Sequence, residues 1–227
     1  MEEMIKFDLH VHTAEISPCG RVPAAEMVRR YHEAGYAGCF ITDHLSRYGL
    51  PEDIDKPWPQ VVDAFLRGYE LAKAEGDKLG FKVFMGAELC FDSGPEDFLM
   101  LGIDRRFLLD HPRLNRARLG EVKALMNRAG LALYQCHPLR DRLKLKSAQD
   151  LDGLEVYNGN PRHDSRNDRA LAIARERGCL MISGSDAHQV EDIARGGVLV
   201  PAQAACDGYT LARYLIEHND QLRLLRT

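Results

Sequence analysis

The order in which hydrophobic periodicities alternate along this chain constrains its fold more than any other feature. Runs with the two-residue repeat of a strand lie near residues 4–13, 37–44, 82–89, 97–104, 131–137, 153–158, 180–186 and 197–200, and helical runs fit 23–34, 59–79, 113–129, 164–177 and 208–218. Several helical runs stop at a glycine (Gly35, Gly80, Gly130, Gly178), the residue best suited to the left-handed turn that ends a helix. Strands alternating with helices across short joints predict a parallel sheet covered by helices. Seven or eight such units in 227 residues predict a closed or nearly closed barrel. The alternative is a doubly wound open sheet, which wants a glycine-rich phosphate loop after its first strand, and FDLHVHT at 7–13 is followed by none. No internal repeat or linker breaks the pattern, so residues 1–227 read as one domain.

Composition narrows the class further. Hydrophobic residues make up 45% of the chain, ordinary for a globular protein. Apolar runs such as Tyr36 to Ile41 fall far short of the ~18 residues that span a bilayer. The acidic start, Met1-Glu2-Glu3-Met4, lacks the basic and apolar regions of a secretory signal. None of the six cysteines forms a C-x-x-C pair, and Cys39, Cys90, Cys136 and Cys179 lie in or beside apolar strand-like runs. That pattern reads as reduced core thiols and predicts a cytoplasmic protein. A net charge of −4 argues against a broad nucleic-acid-binding surface.

The strand ends carry the chemistry. In the first strand Ile5, Phe7, Leu9 and Val11 share one face, and Lys6, Asp8, His10 and His12 share the other. GCFITDH ends in Asp43 and His44, KVFMGAE in Glu88, LALYQCHP in His137 and Pro138, and LMISGSDAH in Asp186 and His188. Five strands thus finish in residues that ligate metals, and in a parallel barrel those ends share the rim where active sites form. His10 with His12, and Asp186 with His188, are two residues apart, so each pair is placed to hold one ion or two adjacent ions. Outside this pattern, His32 and His218 fall in helical runs, His111 in a loop, and His163 between a strand and a helix.

These residues resemble the PHP (polymerase and histidinol phosphatase) family of metal-dependent phosphoesterases. The motifs occur in order: D-L-H-V-H-T at 8–13, T-D-H at 42–44, G-A-E at 86–88, C-H-P at 136–138 and G-S-D-A-H at 184–188. The resemblance implies an irregular (β/α)7 TIM-like barrel, with the metal site at the C-terminal ends of the strands. It implies two or three divalent transition-metal ions, zinc, manganese or iron. His10, His12, Glu88 and Asp186 resemble the first ion's ligands, with Glu88 bridging to a second ion at His137, and His44 and His188 holding a third. The sequence departs from the family pattern twice. Asp97 to Gly102 lacks the histidine often found after the glutamate, and the loop Thr13 to Gly20 lacks the histidine or aspartate often found after H-x-H. Glu15 and Asp97 are the candidate replacements, and Glu15 is expected to complete the site of His44 and His188.

The expected ligands are nitrogen and oxygen, without convincing thiolates. A carboxylate shared by two ions suits hydrolysis by an activated water, so Glu88, Asp186 and Arg140 are the expected catalytic group. Arg140, two residues after Pro138, is the first choice for a phosphate contact, with Arg142, Arg162 and Arg166 also following strand ends. Asp8 and Asp43 stand beside the ligands, either orienting imidazoles or, for Asp8, capping the strand. Tyr157, Asn158 and Asn160 are candidates to shape the pocket, and residues 46–59 read as a packed loop in preference to a lid. The expected activity is hydrolysis of a small phosphorylated substrate, with nucleic acid limited to a nucleotide or short oligonucleotide. An amidohydrolase-like hydrolase of a non-phosphate bond is the alternative, although such barrels usually place a lysine where Glu88 stands.

Overall fold

The computed structural model describes residues 2–227. The strands are β1 (Met4–Val11), β2 (Gly38–Ile41), β3 (His44–Leu45), β4 (Lys82–Cys90), β5 (Asp97–Leu101), β6 (Leu133–Gln135), β7 (Gly153–Asn158), β8 (Leu180–Gly184), β9 (Gly196–Pro201) and β10 (Arg223–Arg226). The helices are α1 (Ala24–Glu33), α2 (Trp58–Leu79), α3 (Arg105–Asp110), α4 (Leu119–Arg128), α5 (Asn167–Arg177) and α6 (Gly208–Glu217). The strands form one sheet in the order β10-β9-β1-β2-β4-β5-β6-β7-β8, with β3 added on β4. A parallel bridge from Val11 to Ala187 joins the end of β1 to the chain leaving β8, which nearly closes the sheet into a barrel and excludes the open doubly wound alternative.

The barrel is irregular in one way that matters for the site. β5 runs antiparallel to both β4 and β6, while β1-β2, β2-β4, β6-β7 and β7-β8 are parallel. No helix separates β4 from β5, so the strict strand–helix repeat breaks there. Three short elements escaped the sequence pattern: the two-residue β3, the six-residue α3, and β10, which pairs antiparallel with β9 beyond the barrel. The helical run expected over 113–129 is divided into a 3-10 turn at Leu114–Arg116 and α4.

Burial explains the elements. From Phe7 to Thr13 every residue is inaccessible to solvent, so β1 is central and its polar face points inward too. Phe7 stacks on Phe84 at 5.1 Å and meets Phe40 edge-on at 5.8 Å, filling one end of the barrel. α1 buries Met27, Val28 and Tyr31, and α2 buries Val61, Val62, Phe65 and Leu66, each at helical spacing. Gly68 lets α2 approach the site: a Cβ there would stand 2.2 Å from Thr13 Oγ1 and 2.6 Å from Asp43 Oδ2. The loop before α2 is packed as expected. Leu50 and Ile54 are buried, and the Trp58 indole N–H donates to the Leu108 carbonyl at 2.6 Å. No helix of the described residues is long and apolar enough to cross a membrane.

Candidate metal centre

The rim gathers its donors around Glu88 and Asp186. His10 Nε2 lies 3.0 Å from His12 Nε2, 3.3 Å from Glu88 Oε1 and 3.4 Å from Asp186 Oδ1. His12 Nε2 lies 3.3 Å from both Glu88 Oε2 and Asp186 Oδ1. Glu88 also faces His44 Nδ1 at 2.8 Å and His137 Nε2 at 3.1 Å. All of these side chains are buried except His44, which is partly so. Four overlapping donor sets are close enough to share an ion: His10, His12 and Asp186; His44, Glu88 and Asp97; His12, His44 and His188; and His10, Glu88 and Cys136. Two of the donors, His137 and Asp186, have left-handed backbones with φ of 29° and 53°, conformations that non-glycine residues rarely adopt and that concentrate at functional sites.

A layer of hydrogen bonds behind the donors sets their tautomers. Ser17 Oγ donates to Asp43 Oδ1 at 2.7 Å and lies 3.1 Å from His12 Nδ1. The His12 proton therefore sits on Nδ1 and its Nε2 lone pair is bare. Glu155 Oε1 accepts from His10 Nδ1 at 2.9 Å, which likewise bares His10 Nε2. The His188 Nδ1 donates to the Asp186 carbonyl at 2.9 Å. This arrangement orients metal-ligating imidazoles in known sites. Asp43 is held by Thr13 through N and Oγ1, both at 2.7 Å. Asp8, by contrast, accepts from the His10 and Ser185 amides, the Ser185 hydroxyl and the Tyr31 hydroxyl. It fastens β1 to the chain leaving β8 and to α1, and touches no imidazole. Burial outweighs these hydrogen bonds and pushes both Asp8 and Asp43 up to about 6.

The donors fit a bound cation. Two bare lone pairs face each other at 3.0 Å between His10 and His12, which only a shared cation or proton satisfies. Glu88 Oε2 and His137 Nδ1 are buried without an aligned hydrogen-bond partner among the described residues. Donor separations of 3.0–3.4 Å around His10 and His12 match the edge of about 3.3 Å of a tetrahedron with metal–donor bonds near ~2.05 Å. The electrostatics agree. Burial opposes ionisation of Glu88 and Asp186, yet neighbouring histidines hold both well below the usual carboxylate range, joined for Asp186 by Arg140. Burial and the His188 and His44 rings keep His12 neutral. Burial lowers His10, but Glu155, Asp186 and Glu88 together raise it, the mark of a place that attracts positive charge.

Of the residues expected from sequence, His10, His12, His44, Glu88, His137, Asp186 and His188 come together. Glu15 does not. Its carboxylate accepts from the Ala24 amide at 3.0 and 3.2 Å, satisfying the N-terminus of α1, because the loop turns it away from the rim. Asp97 takes a place beside His44 and Glu88. It lies at the beginning of an antiparallel strand, where burial and then Glu88 push it up to about 6. Arg140 reaches the site but is largely committed: Nη2 donates to Asp186 Oδ2 and Asn158 Oδ1, both at 2.6 Å, and Nε to Ser165 Oγ at 3.1 Å. Asn158 and Asn160 are buried there, and Asn160 Nδ2 donates to the Asp186 carbonyl at 3.2 Å, whereas the Tyr157 hydroxyl turns outward to the Thr227 carbonyl. Arg142 and Arg166 are exposed, and Arg166 pairs with Asp141. Sequence reasoning missed Glu155, whose only signal was an acid inside the apolar strand GLEVYN. It also missed two thiols. Cys19 Sγ lies 3.4 Å from His44 Nε2, and Cys136 stands with His10 and Glu88.

With this geometry in view, comparison with known proteins gives a consistent picture. A family model described as PHP-associated matches residues 164–207. A two-domain Bacteroides vulgatus protein, described as containing a predicted PHP-like metal-dependent phosphoesterase, superposes with a TM-score of 0.65 at 18% identity. The alignment covers 99% of this chain and 65% of that one, so this chain spans just under two thirds of its length. A Bifidobacterium adolescentis protein assigned by inference as a metal-dependent phosphoesterase gives 0.52 at 18% identity, covering 81% of this chain and 87% of the other. An amidohydrolase from Chromobacterium violaceum with bound sulfate gives 0.57 at 18% identity, with 97% of each chain covered. None of the curated proteins matches. Likeness at such identities speaks for the fold: the molecule is an α/β barrel of the PHP-like type. By that fold, and by its PHP-associated segment at residues 164–207, the chain is similar to PHP-like proteins.

Proposed function

We propose that this protein is a metal-dependent phosphoesterase that hydrolyses a phosphomonoester or phosphodiester of a small molecule. One observation carries this reading: the imidazole and carboxylate cluster and a cationic wall line the same recess. Arg140 and Arg162, the latter paired with Asp192, form that wall and face the cavity that holds His44, Glu88, His137, Asp186 and His188, beside His163, which burial and Arg140 keep neutral. That cavity encloses about 220 Å³ and adjoins a second of about 280 Å³, with Asp97, His137, Arg140 and His163 lining both. Such a space suits a small ligand, a nucleotide or short oligonucleotide being the largest nucleic acid it would accept.

His10, His12, Glu88 and Asp186 would hold a first ion, Glu88 with His137 a second, and His44 with His188 a third, with Asp97 beside His44 and Glu88. Zinc, manganese and iron all suit such nitrogen and oxygen donors. Bound ions of this kind supply Lewis-acid stabilisation of phosphoryl oxygens and lower the pKa of water. The chain's own part is positioning. Glu155 and the Ser17–Asp43 pair keep the His10 and His12 lone pairs directed inward. Arg140 orients Asp186 through Nη2, while its Nη1 has no partner among the described residues and remains open to a phosphoryl oxygen. The side chain that faces four imidazoles is Glu88, a carboxylate where amidohydrolase barrels usually carry a lysine, which favours phosphate-ester chemistry.

The test is a screen of phosphorylated metabolites with metal-loaded protein, with elemental analysis alongside. Phosphate release, or cleavage of a diester, that depends on metal supports the reading. Turnover of amides or carboxylic esters with no cleavage of any phosphate ester overturns it.

A further inference from the structure

We propose that Cys19 is a thiolate donor to an ion held with His44 and His188. This builds on the reading of the rim as a multi-ion centre and replaces the oxygen donor that the sequence pattern led us to expect in this loop. The loop after β1 is built to present the sulfur. It turns back on itself through the Ser17 amide to the Thr13 carbonyl at 3.0 Å and the Gly20 amide to the Ser17 carbonyl at 2.8 Å. A Cβ at Gly20 would stand 2.7 Å from the Thr13 carbonyl oxygen, so only glycine allows so tight a return. The Arg21 amide then donates to the His188 carbonyl at 2.7 Å, tying the loop to the strand end that carries a ligand. Cys19, half-buried, is left between two rings. Its Sγ is 3.4 Å from His44 Nε2, and the His188 side chain lines the same recess. Because His188 Nδ1 donates to the Asp186 carbonyl, Nε2 is the ring nitrogen left to bind an ion. Cys19, His44 and His188 all line the recess that holds Glu88 and Asp186.

Binding exchanges a proton for the ion: the S–H bond breaks, a sulfur–metal bond forms, and the proton leaves to solvent. A soft sulfur beside two imidazoles selects zinc or cobalt over manganese at this position.

The experiment is titration of metal-free protein with cobalt(II), followed by absorption spectroscopy. The expected result is a thiolate-to-cobalt charge-transfer band in the near ultraviolet that is kept in Cys136→Ala and lost in Cys19→Ser. The second thiol near the cluster is thereby separated from the first. Cobalt uptake without the band, or a band that survives in Cys19→Ser, overturns the assignment of Cys19 and leaves the multi-ion centre standing. No cobalt uptake by the parent protein overturns both. If Cys19→Ser fails to fold, alkylation of the parent decides the matter. Saturating zinc should slow modification of Cys19 at least tenfold while the exposed Cys206 reacts as before, and equal rates at Cys19 with and without zinc refute the proposal.

Discussion

Replacing Glu155 by glutamine tests whether the layer behind the donors controls the metal. Glu155 is 1% exposed and accepts three hydrogen bonds, from His10 Nδ1, the His137 amide and Asn158 Nδ2, each at 2.9 Å. All three partners approach it as donors, and glutamine keeps only one acceptor oxygen. If the new NH2 takes the Oε1 place, it confronts His10 Nδ1. That ring must then accept, and its proton moves to Nε2, the nitrogen facing His12, Glu88 and Asp186. If the NH2 takes the Oε2 place, it confronts the His137 amide, which has no other tautomer. A buried donor left unpaired costs about 1–3 kcal/mol. Loss of an outer partner of a ligating histidine typically weakens metal binding about 10–100-fold, equivalent to roughly 1.4–2.7 kcal/mol. Zinc affinity measured by chelator competition should therefore fall by one to two orders of magnitude in Glu155→Gln. Thermal unfolding of the metal-free variant should show a lower midpoint, and added zinc should raise that midpoint less than in the parent. A variant that binds zinc as tightly as the parent would refute the claim that Glu155 sets the His10 tautomer.

Glu88→Gln removes the carboxylate that faces four imidazoles, so elemental analysis should show the loss of more than one metal equivalent and activity should fall at least 100-fold; a loss confined to activity would mean that Glu88 bridges no ions. Glu15→Ala should leave the metal content unchanged, because Glu15 serves the N-terminus of α1, and should lower stability by about 0.5–2 kcal/mol as helix-cap losses do; a drop of one metal equivalent would restore Glu15 to the site. Arg140→Ala should raise KM for a phosphate ester and also reduce metal content, since it frees Asp186 Oδ2 from its partner; a change in KM with full metal retention would make Arg140 a substrate contact only.

The sequence by itself determined the barrel and most of its rim. Period-two runs separated by helical runs require a sheet covered by helices, and parallel strands bring all their C-terminal ends to one edge. His10, His12, His44, Glu88, His137, Asp186 and His188 could be read for that reason: each stands at the end of such a strand, and local periodicity already fixes the end at which it lies. What the tertiary structure decided depends on direction and on return paths, which local pattern does not encode. β5 is antiparallel, so its first residue, Asp97, reaches the rim, although its hydrophobic run looks no different from that of a parallel strand. Glu155 supports His10 across 145 positions of chain, a contact created only when β7 comes to lie near β1. Glu15 and Cys19 are four residues apart in one loop, and nearness to H-x-H together with the family resemblance favoured the acid. The clamp from Arg21 to His188 turns the loop so that the carboxylate meets a helix end and the sulfur meets the histidines, since the path of a loop is set by the distant backbone groups that satisfy it.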